Sequence, residues 1–223
     1  MWELSVGDSP PLTLGSRLSV VLRVLGEVNN LAVESSPTDL VFHAGAVALD
    51  GRGVLLPGGS NHGKSTLTTA LVADGFSYLT DEAAAVTADL MIRPFAKSIA
   101  LDPGSFPLFA ELAPTDSGAG LARAIACREW HIDPARVGTV AGPVPVAAVV
   151  CPQWRAGATT RVGEVDVVEA LHLLLGDAFD FAAGGQPVFE RLVEVVSSVP
   201  VLRVTYGETA DAIDAVRSVL ASR

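Results

Sequence analysis

Several things that would settle this chain's class at once are scarce in it. It has only two cysteines, Cys127 and Cys151, with no Cys-x-x-Cys pair and no zinc spacing, which excludes a disulfide scaffold and a cysteine zinc site. Two lone thiols in a chain of this length read as reduced, buried side chains of a cytoplasmic protein. No uncharged apolar run approaches ~18 residues, so neither a spanning helix nor a membrane partner is expected. The start, Met1-Trp2-Glu3-Leu4, lacks the basic residues and apolar run of a secretory signal. Basic residues are few: 15 Lys and Arg against 25 Asp and Glu leave a net charge of -10. That balance argues against nucleic acid as a partner, since binding its phosphates relies on Lys and Arg. Repeats and domain linkers are also missing. With 223 residues, 49% of them apolar, the expectation is one domain over 1–223 with a sizeable core.

What is present is a glycine loop. Gly58-Gly59-Ser60-Asn61-His62-Gly63-Lys64-Ser65 fills every fixed position of the phosphate-loop pattern Gly-x-x-x-x-Gly-Lys-Ser. It follows an apolar strand candidate, Gly53-Val54-Leu55-Leu56, and opens a helix candidate running from Ser65-Thr66 to Val72. That strand–loop–helix context gives the pattern its physical content. Glycines let backbone N–H groups turn inward around a phosphate, and the helix N-terminus adds partial positive charge there. Lys64 can reach the outer phosphates and the Ser65 hydroxyl can bind Mg²⁺. His62 lies inside the loop and is expected to contribute backbone only. The nucleotide is expected to be a small molecule held by one local basic cluster.

Along the rest of the chain, residues 12–25 alternate loosely and read as one or two strands, part of a 10–40 extension of the sheet. The run 40–49 ends in Asp50-Gly51, a strong hairpin signal whose second arm feeds the loop. Gly75 suits the cap of the following helix. Residues 76–79 form a strand candidate, with further short strands at 83–86 and 90–92. Residues 115–120 are the best flexible-loop candidate. A buried strand is expected over 145–151, helices over 165–179 and 188–196, a strand over 201–206 and a closing helix over 209–220.

The expected strand 76–79 delivers Asp81-Glu82, 17 positions after Lys64. One helix and one returning strand fit that interval, which sets the pair at the carboxyl edge of the sheet, where α/β ligand sites form. A carboxylate there can hold Mg²⁺ or take a proton from an attacking hydroxyl. A solvated acidic turn is the bland alternative, disfavoured by the adjacent loop. His43, in the arm of the hairpin, is either a packed core residue or a member of the site. Lys97, one of few lysines, is either a second cation for a triphosphate or a solvated side chain. Arg128 and Arg136 are weaker candidates for anion contacts.

Together, Phe42-His43-Ala44-Gly45, the Asp50-Gly51 turn, the loop through Thr66, and Gly75-Phe76-Ser77-Tyr78-Leu79-Thr80-Asp81-Glu82 resemble the HPr kinase/phosphorylase family. The resemblance is closer to its short HPr-kinase-like serine kinase relatives, which lack the N-terminal domain. It covers roughly 40–105, with a weaker echo at Val201 to Gly207. It implies an α/β phosphate-loop fold of the type shared with phosphoenolpyruvate carboxykinases, a mixed central sheet with flanking helices. It also implies ATP- and Mg²⁺-dependent phosphorylation of a serine-type hydroxyl on a peptide or protein. Asp81 would be the general base, Glu82 its assistant through metal or water, and His43 the active-site histidine. Homo-oligomerisation stays open. The chain carries Ser65-Thr66 where the bifunctional enzymes carry Ser-Glu, and their later glycine-rich signature is missing. The short relatives' occurrence with lasso-peptide biosynthesis makes a peptide acceptor one expectation. A non-catalytic nucleotide-binding module and a kinase of a free small molecule such as serine are the alternatives.

Overall fold

The computed structural model describes every residue except 8, 35–38, 60–61, 115–124, 180 and 223, and the side chains of 32, 34 and 181–184 lie outside it as well. The loop expected over 115–120 therefore falls outside the described residues. The order of elements begins with a small ribbon, β1 (Trp2–Leu4) with β2 (Leu12–Leu14), and helix α1 (Arg17–Glu34). This corrects the expectation of sheet strands over 10–40. Apolar residues at 18, 20, 22 and 24 alternate, but Leu18, Val21, Leu22 and Leu25 also fit helical spacing, and the helix keeps its backbone bonds internal.

The centre is an eight-stranded mixed sheet. Strands β3 (Leu40–Leu49) and β4 (Arg52–Pro57) form the predicted hairpin, with Leu49 opposite Arg52. Both turn residues, Asp50 and Gly51, have positive φ, as the primed two-residue turns require. After the glycine loop comes α2 (Lys64–Ala73), then β5 (Ser77–Thr80), β6 (Ala83–Val86) and β7 (Met91–Arg93). A side ribbon pairs β8 (Ile99–Leu101) with β9 (Trp130–Ile132). The chain then returns through β10 (Val144–Trp154) and β11 (Arg161–Glu164). Helices α3 (Val167–Asp177) and α4 (Phe181–Ser198, broken at Gly185) follow, then β12 (Val201–Tyr206) and α5 (Thr209–Ala221).

The sheet order is β11-β12-β10-β4-β3-β6-β7, with β5 also on β3 and β7 returning to β10. Alternation along the strands sends Phe42, Ala44, Ala46 and Leu55 to a core with α3 and α4. Val47, Val54 and Leu56 face a second core with α2 and α5. The sheet thus carries helices on both faces. Pairing direction then sets the site. β5, β4, β10 and β12 all run the same way, because β3 opposes both β4 and β5 while β10 is parallel to β4 and to β12. Their carboxyl ends at Thr80, Pro57, Trp154 and Tyr206 therefore reach one edge, where open α/β sheets form ligand clefts.

Candidate functional site

At that edge, β3 changes partner. It pairs with β5 through Ala46–Thr80 and with β6 through His43–Ala83. Asp81 and Glu82 make the corner between, pinned where the Ala44 N–H donates to the Glu82 carbonyl at 3.1 Å. Across β3, Ala44 opposes Pro57, the last residue before the glycine loop. The loop and the acidic pair thus flank the same short stretch of one strand. Together they open on a cavity of about 620 Å³ lined by His43, Lys64, Ser65, Thr66, Asp81 and Glu82 among others.

Gly63 ends the loop and Lys64 begins α2. Lys64 is buried, and its ammonium donates to the Gly58 carbonyl and, at 3.2 Å, to that of Gly59. Burial holds its pKa below the usual lysine value, opposed by the nearby charges of Asp177 and Glu82. Ser65 lines the cavity, while the Thr66 hydroxyl is hydrogen-bonded to Ser105 at 2.6 Å. His62 is exposed and does not line the cavity; its N–H donates to the Gly59 carbonyl at 3.3 Å. Ser60 and Asn61 lie outside the described residues.

Asp81 is the most enclosed of the candidates. Its Oδ1 accepts from the Tyr78 hydroxyl and the Lys97 ammonium, both at 2.8 Å, and its Oδ2 accepts from the Ala100 N–H at 2.8 Å. Its own burial and the Asp81 charge push the Tyr78 hydroxyl pKa up, so Tyr78 stays a donor. Three donors against about four lone-pair positions on a carboxylate leave one acceptor position, on Oδ2. Glu82 is more open and stands 3.7 Å from His43 Nε2. His43 is only partly buried, stacks at 6.0 Å on Phe179 and lines the cavity, so its imidazole belongs to the cavity wall and not to the core.

Lys97 sits differently from the sequence expectation of a phosphate contact. Its ammonium is on Asp81 and the Ser98 carbonyl, and it lines a smaller neighbouring cavity with α1 and not the one holding Lys64. Arg128 and Arg136 are exposed and do not line the cavity, and Cys127 is exposed where burial was expected. Cys151 is buried, its thiol pushed up to about 12.

The sequence reading missed Tyr78, Trp154 and Asp177. Asp177 ends α3, and burial holds its carboxyl above the ordinary range against the pull of Lys64, His43 and the Gly58 N–H. Nothing in Leu173-Leu174-Leu175-Gly176-Asp177 marks it in sequence; helix placement alone brings it to the loop.

Among the described residues no group of three or more His, Cys, Asp or Glu is placed to hold a metal ion by itself. Ser65, Asp81 and Glu82 all belong to the lining of one cavity. Mg²⁺ takes one or two carboxylates and completes its shell with water and substrate phosphate. The donor set therefore fits Mg²⁺ arriving with a nucleotide and does not fit a resident metal. Among the described residues, no helix is long and apolar enough to cross a membrane.

No protein-family profile matches the chain, and no curated protein does. Among solved structures, the Hpr(Ser) kinase/phosphatase from Coxiella burnetii is similar with a TM-score of 0.42 and 14% identity, over 82% of this chain and 88% of that one. A likeness of that size carries no weight for the chemistry of this chain, which rests on its own residues.

Proposed function

We propose that this chain is a Mg-ATP-dependent kinase that phosphorylates a serine-type hydroxyl of a peptide or protein. One observation carries the reading: a complete phosphate-loop sequence and a buried aspartate held by three donors meet at one cavity on the carboxyl edge of the sheet. In this reading the loop N–H groups and the start of α2 hold the β- and γ-phosphates. Lys64 exchanges its resting partners, the carbonyl oxygens of Gly58 and Gly59, for phosphate oxygens. Mg²⁺, held by the phosphates with Ser65 and Glu82, would neutralise charge on the transferring group. Asp81 takes the proton of the acceptor hydroxyl on the remaining acceptor position of Oδ2 as the hydroxyl oxygen bonds to the γ-phosphorus and the bond to the β-phosphate oxygen breaks, leaving ADP and a phosphate ester. Tyr78, Lys97 and the Ala100 N–H hold the carboxylate in place, and His43 beside Glu82 lines the same cavity.

Calorimetry with Mg-ATP tests the reading. The intact protein is expected to bind, and Lys64→Ala is expected to lose on the order of 2–4 kcal/mol by removing a charge-assisted contact to phosphate. Absence of Mg-ATP binding by the intact protein sinks the proposal. Binding without ADP formation, across serine-containing peptides and free serine, favours the nucleotide-binding module instead.

A further inference from the structure

We propose that Trp154 is the platform on which the base of the bound nucleotide stacks, with the turn Tyr206-Gly207-Glu208-Thr209 as the second wall of the base site. The inference rests on the nucleotide reading above and adds the place of the base. The strands decide this geometry. β10 and β12 are parallel, with Trp154 opposite Tyr206. Val149 pairs with Leu55 on β4, and β4 ends at Pro57. The ends of β10 and β12 therefore extend roughly three residues past β4, about 10 Å at strand rise, and form a wall beside the glycine loop. That wall meets the loop directly. A Cβ on Gly63 would stand 2.7 Å from the Tyr206 hydroxyl and 3.4 Å from the Trp154 Cβ.

The indole is held in position. Its Nε1–H donates to the Gly207 carbonyl at 3.1 Å, and the Arg155 N–H donates to the Tyr206 carbonyl at 2.9 Å. Gly207 lies so close to the next turn that a Cβ there would sit 2.6 Å from the Ala158 carbonyl oxygen. With its only donor used, Trp154 is still 50% exposed and lines the cavity that holds Lys64. What it has left to offer a ligand is its ring face, and every nucleobase has a face to stack on it. Beyond β4 and β3 in the sheet order, the cavity carries Asp81 and Glu82, a side that suits a metal-bound phosphate and a hydroxyl acceptor better than a flat base. A cavity of about 620 Å³ lies within the size range of small-ligand sites.

The test compares the intact protein with Trp154→Ala and Trp154→Phe. Calorimetry is run with Mg-ATP, Mg-GTP and, as a probe without a base, Mg-tripolyphosphate, and thermal melts check folding. Trp154→Ala is expected to weaken nucleotide binding on the order of 10-fold, the size of one lost base stack. Trp154→Phe should restore most of it, and tripolyphosphate should bind all three proteins alike. Unchanged nucleotide affinity in Trp154→Ala overturns the base platform and leaves the phosphate site standing. A parallel loss of tripolyphosphate binding also overturns it, because the tryptophan would then be supporting the loop. Failure of the intact protein to bind any of the three overturns the nucleotide reading and this inference with it.

Discussion

Asp81 and Lys97 form the ion pair on which the candidate site turns. The aspartate side chain is fully buried and the lysine nearly so, at 0% and 14% exposure. Removing one partner of such a pair leaves an uncompensated buried charge, which costs more than the pair contributes. Lys97→Met is therefore expected to destabilise the fold by roughly 3 kcal/mol, measured by urea unfolding. Asp81→Asn combined with Lys97→Met should recover part of that loss, because no charge is then stranded. Strict additivity of the two single changes would show that the pair is not energetically coupled. On the proposed mechanism, Asp81→Asn alone should keep Mg-ATP affinity and lose most phosphoryl transfer, since an amide cannot take the proton.

The end of α2 was legible in the sequence, because the chemistry of a glycine cap is local. The C-terminus of α2 carries both bonds of a Schellman motif: the Phe76 N–H donates to the Leu71 carbonyl at 3.0 Å and the Gly75 N–H to the Val72 carbonyl at 3.1 Å. Gly75 holds φ at 98°, a conformation that costs any side chain a steric penalty. Gly26 lies inside α1, and a Cβ there would meet nothing within 4 Å. The same substitution should act in opposite directions at the two sites. Gly75→Ala is expected to destabilise by about 1 kcal/mol and Gly26→Ala to stabilise by about 0.5–1 kcal/mol. Urea midpoints read both. If Gly75→Ala proves neutral, the cap contributes nothing. The α1 segment reads as strand in sequence because its short run of Leu and Val fits both the alternating and the helical period.

At the scale of the whole molecule, the fold brings a carboxylate from the end of α3 to a loop far earlier in the sequence. Burial is the largest influence on Asp177 and raises its pKa above the ordinary value of 3.8. The folded state therefore holds that proton more tightly than the unfolded state does. The associated stability is present below the ordinary value and is lost as pH rises through the raised one. Asp177→Asn has no such loss, so it should be more stable than the parent protein at pH near 7. The gain should shrink as pH falls toward the ordinary aspartate range. Urea unfolding of both proteins across that range checks the sign, and a variant less stable at neutral pH would mean that attraction to Lys64 outweighs the cost of burial.

Local chemistry determined what the sequence alone could reveal. The Asp50-Gly51 turn, the Gly75 cap, the glycine loop between strand and helix, and the interval from Lys64 to Asp81 each lie within a few residues or one strand–helix–strand step. The partners of those residues were decided only by the tertiary structure. Lys97 and the Ala100 N–H reach Asp81 because a side ribbon crosses the sheet edge. Trp154 reaches the loop because β10 outruns β4, and Asp177 because α3 ends there. Each depends on strand order and register, which follow from how the whole chain buries its apolar faces on both sides of one sheet, so no short window of sequence contains them.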